Sequence, residues 1–418
     1  MGVFISMVGL FLAPYSRRAS HVVLLFIILI GANFVLQSRT GFLCCMAGIL
    51  FYVMLQYEFI LLRRKVVLFY TLCFICIATL TVTTKRMSTS GRWFIWKNTL
   101  AAIYEKPISG HGWGSFSAAY GNQQASFFQQ NGMNNKEALL ADTVYFAFNE
   151  WLHFAVELGV PVALLLCVLH FMLLIKAYNF SKKHKENKCF RGCFMSFTGF
   201  IAASFISYPL YYLPTAIIYV TVLAGLLFGF ASKYLHKYKL VVPVLFGIII
   251  CITVLPSGIA RLHWHNGNWL MKTAAYRKSV NTLLKGYPNL ERNGAYLLAL
   301  AKAYDHLYKI DSALKYSQQA LRYSHDPALH ELHARLLFEN GDTLQAEKHF
   351  LAAVYTVPNR FRSREQLINF YVQIKQLTAA RNLAAATLRM PVKVRSYESL
   401  YIRRRIQDLY FNGILRGM

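Results

Sequence analysis

Along residues 1–255 the chain alternates long apolar blocks with short polar gaps. The blocks are Ser20–Leu36, Gly41–Leu62, Val66–Thr83, Leu158–Ile175, Cys193–Leu210, Thr215–Ser232 and Leu240–Leu255. A helix needs about 20 residues to cross a hydrocarbon core, so these blocks predict membrane spans. Met1–Ala13 makes an eighth and shorter block, covering some ~20 Å at about 1.5 Å per residue. From about Pro256 onward the pattern is polar and amphipathic, with apolar residues at helical spacing and no span. The predicted class is all-α: a polytopic transmembrane helix bundle followed by a soluble helical domain. The predicted limits are 1–84 for the first spans, 85–147 for an external loop, 148–257 for the second set of spans and 258–418 for the soluble domain.

Short basic loops orient such a bundle, because Lys and Arg stay on the cytoplasmic side. Arg17-Arg18, Arg63-Arg64-Lys65, the cluster from Lys176 to Arg191, and Lys233–Lys239 fall in alternate loops, so all of them fit one side. Gln37–Thr40, Thr84–Ala147, Tyr211–Pro214 and everything beyond Pro256 then lie outside, on the periplasmic side of a bacterial inner membrane. An even span count also places the N-terminus outside. Met1–Ala13 lacks the basic flank and cleavage site of a signal peptide. The short first block therefore leads us to expect an N-terminally truncated chain with missing upstream helices.

Composition agrees: 56% of residues are hydrophobic and 15% charged. The net charge of +27 is partly topological. The external arginines are not explained by topology, and at an outward-facing membrane surface they suit an anionic headgroup. A nucleic-acid partner is excluded by that placement. Seven of the eight cysteines, Cys44, Cys45, Cys73, Cys76, Cys167, Cys193 and Cys251, lie within the apolar blocks, and Cys189 lies just before one. They predict small packing residues, with no disulfide framework. Cys73-x-x-Cys76 has no His or acidic neighbour, so no metal or other cofactor is expected.

Residues 296–390 repeat. Ala313, Ala346 and Ala379 are spaced by 33, as are Ala320, Ala353 and Ala386; Pro358 and Pro391 keep the same step. Tyr304, Leu337 and Phe370 keep a large residue in register, and Gly341 marks the turn of the middle unit. Each unit predicts two amphipathic helices that approach closely at the alanines and end at the proline. The pattern resembles tetratricopeptide repeats, whose period is about 34. Such arrays bind partner proteins on a concave face.

The loop Thr84–Ala147 is too long for a connector. Arg92–Tyr104 predicts a helix with Trp93, Trp96, Leu100 and Ile103 on one side. "PISGHGWGSF", Pro107 to Phe116, is a turn in which Gly110, Gly112 and Gly114 permit backbone shapes closed to other residues and close approach of a ligand. The stretch "AFNEWLHFAVELGV", residues 147–160, then sets Asn149, Glu150 and His153 against the next span. Charged groups so near a membrane are costly and point to function.

These pieces resemble the O-antigen ligase and polymerase superfamily. Ser38-Arg39-Thr40-Gly41, Arg92 with Trp96, Pro107 to Phe116, and Asn149, Leu152, Glu157 and Gly159 follow that family's motif order over about residues 37–180. The family's usual histidine falls at position 148, where this chain has Phe148. The resemblance implies an integral membrane glycosyltransferase. Its donor is a glycan on an undecaprenyl diphosphate carrier, and its acceptor is another glycan, lipid A–core, or a protein hydroxyl. It implies that Arg39 and Arg92, with Arg86 and Lys85 in reserve, hold the departing diphosphate, where arginine gives paired contacts to phosphate oxygens. Glu150 is the candidate base for the acceptor hydroxyl, with His153 one turn along and His111 in the glycine turn as alternatives. Asn149, Gly110, Gly112 and Gly114 are positioning candidates. Two further readings stay open: a non-catalytic, membrane-anchored scaffold whose repeats recruit envelope proteins, and a transporter, for which no inverted repeat is evident.

Overall fold

A computed structural model describes residues 1–16, 18–56, 68, 86–133, 136–231, 241–393, 395–411 and 413. The described residues form helices and no strand. Apart from Leu68, the span expected at Val66–Thr83 lies outside them. So do Arg17, Arg63–Lys65, Cys73, Cys76, Lys85, Lys233–Lys239 and the side chains of Arg86 and Cys251. The chain forms two compact units. One comprises Met1–Arg92, Pro107–Gly110 and Phe146–Cys251; the other comprises Trp93–Lys106, His111–Tyr145 and Ile252–Met418.

In the first unit, α1 (Gly2–Leu12), α2 (Ala19–Val35) and α3 (Arg39–Gln56) precede the start of α4 (Arg86–Glu105). Beyond the loop come α7 (Glu150–Leu158), α8 (Val160–Lys183), α9 (Lys188–Ser204), α10 (Leu213–Ala231) and the beginning of α11 (Val241–Lys272). Helix α9 is central. Its Phe190, Phe194, Phe197 and Phe200 are all buried against α1, α3, α8 and α10. Between lipid-facing helices such packing is held by close van der Waals contact rather than by removal of apolar surface from water. A polar knot stitches α1, α2 and α3 together: the Asn33 amide donates to Ser6 Oγ at 2.9 Å, and Ser6 donates to the Gly2 carbonyl at 2.8 Å. Gly41 is required there, because an added Cβ would collide with Asn33 Oδ1 and the Gly2 backbone.

Two described helices are long and apolar enough to cross a membrane: Val160–Lys183, with mean hydropathy 2.3, and Leu213–Phe230, with 2.0. Only 11% and 22% of their most apolar windows are buried. An apolar helix so little covered by protein is not a core helix of a water-soluble domain; its exposed leucines and valines fit lipid. Helices α1, α2 and α3 are apolar but shorter. The block expected at Leu158–Ile175 begins two residues later and runs on to Lys183. The break is Gly159, whose φ of +86° ends α7 before Val160 starts α8.

The second unit holds α4 from Trp93 onward, α5 (Phe116–Asn131), α6 (Lys136–Leu140) and a run of helical hairpins. The hairpins comprise α12 (Tyr276–Leu290), α13 (Gly294–Asp305), α14 (Ile310–Leu321), α15 (Pro327–Glu339), α16 (Thr343–Thr356), α17 (Phe361–Gln373) and α18 (Leu377–Arg389), followed by α19 (Tyr397–Phe411). Within this run α13 pairs with α14, α15 with α16, and α17 with α18. The turns share one geometry. Ala274, Tyr308, Gly341 and Lys375 each take a left-handed φ, at steps of 34, 33 and 34 residues. Behind each, the next amide closes on the preceding helix: Ala275 to Leu270, Lys309 to Tyr304, Asp342 to Leu337 and Gln376 to Tyr371. This is the bond that caps a helix around a left-handed residue.

Two differences from the sequence pattern follow. The expected repeat began near residue 296, whereas the shared turn recurs one unit earlier, at the end of α11. Helix α11 runs without interruption through Pro256, so an apolar first half and an amphipathic second half form one rod. The alanine register also slips in the last unit. The buried small residues are Ala313, Ala346 and Ala380, and Ala320, Ala353 and Thr387, while Ala379 is half-buried and Ala386 exposed.

Candidate functional site

The first unit brings Arg39, Arg92, Asn149, Glu150 and His153 into one body. Arg39 opens α3 and is half-buried, and its Nη2 is buried without a hydrogen-bond acceptor among the described residues. Arg92 is also half-buried. Its Nη1 donates to the Ile206 carbonyl at 3.4 Å, and its guanidinium stands over the Phe148 ring, 5.3 Å from the centroid. Burial, followed by the Arg39 charge, holds the Arg92 pKa below its usual value, against an upward pull from Tyr208. Among the described residues neither arginine has a carboxylate within ion-pair range. Two partly desolvated cations with no carboxylate partner among the described residues form a setting that favours an anion.

The segment Phe146–Leu158 is built by local rules. Phe148 takes a left-handed φ of +53°, and Asn149 then caps α7, its Oδ1 accepting from the Leu152 amide at 3.0 Å. The other end of the Asn149 amide donates to the Phe205 carbonyl at 2.9 Å, tying α7 to the end of α9. That cap places Glu150 in the first turn, where the helix dipole favours a carboxylate. Glu150 is buried. One oxygen accepts from the Leu210 amide at 2.7 Å; the other is buried with no donor among the described residues. Burial pushes the carboxyl up to about 7; the Leu210 amide opposes that shift, and the Glu157 charge adds to it.

His153 sits on the same helix, but its hydrogen-bond partner is Glu157 at 3.2 Å, one turn on, rather than Glu150. Its ring lies 4.5 Å from Tyr211, and Phe146 stacks on Tyr208 at 4.3 Å. Phe148 meets the same Tyr208 edge-on at 5.2 Å. Phe146 and Tyr211 thus flank the His153 ring, and Tyr208 links Phe146 to Phe148. The sequence reading passed over Tyr208 and Tyr211. The aromatic run "SYPLYYLP", Ser207–Pro214, at the end of an apolar block was the available signal.

The glycine turn has split roles. Gly110 belongs to the first unit, with a φ of +65°, and an added Cβ would meet the Glu157 carbonyl at 2.5 Å and the Gly159 amide at 2.6 Å. The Val160 amide also donates to the Pro107 carbonyl at 2.8 Å. Gly110 is therefore a packing glycine that lets the turn lie on the α7–α8 junction. Gly112, at +101°, has open space around it, and Gly114, at +81°, lies near the Arg292 carbonyl in the second unit. His111 falls in the second unit and bonds the Ala102 carbonyl at 2.9 Å, which fastens the turn to α4. The backbone of Arg86 starts α4. On that helix Trp93 and Leu100, expected to form an apolar side, are 69% and 54% exposed, while Phe94 and Ala102 are buried. No cluster of three or more His, Cys, Asp or Glu among the described residues has metal-binding geometry.

The arrangement can do two things chemically. It can hold an anion beside Arg39 and Arg92, and it offers a carboxylate whose proton affinity is matched to neutral pH. Residues 24–167 match the family model described as O-Antigen ligase, a segment that takes in Arg39, Arg92, the glycine turn and all of α7. No curated protein matches the chain. With its motif residues largely gathered in a helical unit that presents membrane-length apolar helices, the chain carries a segment similar to the O-antigen ligase family, which supports a membrane-associated role in glycan ligation or polymerisation.

Proposed function

We propose that the chain is an integral membrane glycosyltransferase that moves or polymerises a glycan carried on undecaprenyl diphosphate at the periplasmic face of a bacterial inner membrane. An acceptor hydroxyl attacks the anomeric carbon, forming a new C–O bond. The bond from that carbon to the diphosphate breaks, and its electron pair leaves with the phosphate. The hydroxyl proton passes to the Glu150 carboxylate. Arg39 and Arg92 hold the leaving diphosphate as its charge grows, which lowers the barrier because the cations are fixed in advance. Asn149 positions Glu150 through the α7 cap, and Gly110, Gly112 and Gly114 shape the adjoining turn. His153 orients with Glu157, and the hairpins, read as tetratricopeptide-like, form the periplasmic domain that receives partners.

The observation that carries this reading is the pair of half-buried guanidiniums with no carboxylate partner among the described residues, one lowering the proton affinity of the other. The test is Arg39→Ala and Arg92→Ala in a strain lacking the native gene. The expected result is loss or shortening of surface glycan while each variant still inserts. Normal glycan with either arginine removed would favour a second reading, a non-catalytic scaffold, to which Phe148 in place of the family's histidine already gives some weight.

A further inference from the structure

The second unit contains a cleft of about 500 Å³ between the C-terminal half of α11 and α13. Both are the leading helices of their hairpins: α11 ends at the Ala274 turn and α13 at the Tyr308 turn. Stacked hairpins of this kind present their leading helices on one side, the side used for ligands in helical arrays. The volume falls in the range of small-ligand pockets, about 300–1,000 Å³.

The chemistry of this cleft differs from the rest of the run. Trp264 and Trp269 line it, and they are the only tryptophans beyond Trp151. Trp269 is 60% exposed. Trp264 is fixed edge-on against Tyr296 at 6.0 Å, and its indole N–H has no acceptor among the described residues. One repeat later, 34 residues on, the same positions hold Leu298 and the buried Ala303, so no indole recurs. Across the cleft α13 presents Ala295 and Ala299, whose small side chains leave the space open. His265, Asn268, Lys272 and Lys302 supply the polar lining, and no carboxylate lines the cleft.

We infer that this cleft binds an acidic saccharide segment of the glycan. The C–H face of a pyranose ring is weakly positive and lies well against the negative face of an indole. Amide and imidazole groups of Asn268 and His265 bond hydroxyls. Lys272 and Lys302, with no carboxylate in the lining, select a carboxylate or phosphate on the sugar. The inference rests on the glycan-transfer reading for its substrate class, but it places binding on residues that take no part in the chemistry.

The experiment uses the full chain in lipid nanodiscs and follows indole fluorescence. The probe is the glycan released by mild acid from the producing cell's lipid-linked pool, alongside the same glycan with its acidic groups reduced or removed. Saturable quenching is expected, at least tenfold weaker for the neutralised glycan. Trp269→Ala, and separately Lys272→Gln with Lys302→Gln on the exposed rim, should each weaken it at least tenfold. Arg92→Ala should bind as the wild type does, which separates this cleft from the transfer site. Absence of saturable binding, or binding indifferent to the rim lysines, overturns the inference. So does a Trp269-dependent attachment to phosphatidylglycerol vesicles without glycan binding, because the indoles would then be interfacial anchors. If Arg39→Ala and Arg92→Ala transfer glycan normally while the cleft still binds it, the transfer reading fails and the cleft stands.

Discussion

The Arg92 guanidinium lies over the face of Phe148, 5.3 Å from the ring centroid. The ring cannot accept a proton. It faces the cation with its negative quadrupole, while Nη1 at the guanidinium edge donates to the Ile206 carbonyl. Phe148 reaches this position through a left-handed backbone, a strained shape for a bulky residue.

Replacing Phe148 by leucine keeps bulk and removes the quadrupole. Such a contact is worth about 0.5–2 kcal/mol, so glycan transfer by Phe148→Leu should fall several-fold, mainly through weaker donor binding. Kinetics with purified lipid-linked donor check it; an unchanged KM for donor would remove Phe148 from the site.

Burial raises the Glu150 pKa to about 7, so under the proposed mechanism the carboxyl is protonated, and idle as a base, below that pH. The transfer rate should therefore rise with pH through about 7 and then level off. Glu150→Gln should abolish transfer at every pH. A flat profile from about pH 5.5 to 8.5 in the wild type would show that another group takes the proton.

At Gly110 and Gly159 a side chain would meet backbone at a left-handed φ. At Gly112 only the backbone conformation objects. Gly110→Ala and Gly159→Ala should cost several kcal/mol and lower yield and melting temperature in detergent. Gly112→Ala should cost about 1 kcal/mol. Equal melting temperatures for all three would contradict the packing described.

A chain of imidazoles runs through the hairpins: His325 to His330 at 2.9 Å, and His330 to His349 at 3.0 Å, with His333 bonded to Ser317 at 2.8 Å. Burial, followed by the charges of neighbouring imidazoles, holds His325 down at about 3, His330 well below its usual value and His333 at about 4. For His349 burial is again the larger cause, with Lys348 adding to it. The unfolded chain takes up protons from about pH 6.5 downward and the folded one does not. The stability these neutral histidines allow is thus complete above about 6.5 and drains away as pH falls toward 4 and 3. Thermal unfolding should show a melting temperature falling between pH 7 and pH 5, and His330→Asn should make that fall shallower.

Much of the helical class was legible because hydrophobic blocks and amphipathic spacing are local properties. The same locality did not disclose the continuity of α11. An apolar block followed by an amphipathic one reads as a span with a domain after it, yet the two halves are one continuous helix, and the second half leads a hairpin. The turn of that hairpin, like two of its three successors, carries no glycine; Ala274, Tyr308 and Lys375 adopt the left-handed shape because helix packing on both sides compels it. Only Gly341 announced a turn. At the site, sequence order singled out Arg39, Arg92 and Glu150. It could not show that His153 bonds Glu157, that Gly110 is spent on packing, or that Tyr211 lies against the His153 ring.

The sequence alone determined the helical class of the described residues, the apolar character of Val160–Lys183 and Leu213–Phe230, and the motif residues that resemble the family, since each is written in neighbouring residues. The tertiary structure decided what those residues meet. The lack of a carboxylate partner for Arg39 and Arg92 among the described residues, the raised proton affinity of Glu150 and the indole cleft all depend on groups far apart in the chain being brought together and stripped of water. Desolvation and charge act through space, and spacing along a sequence does not record them.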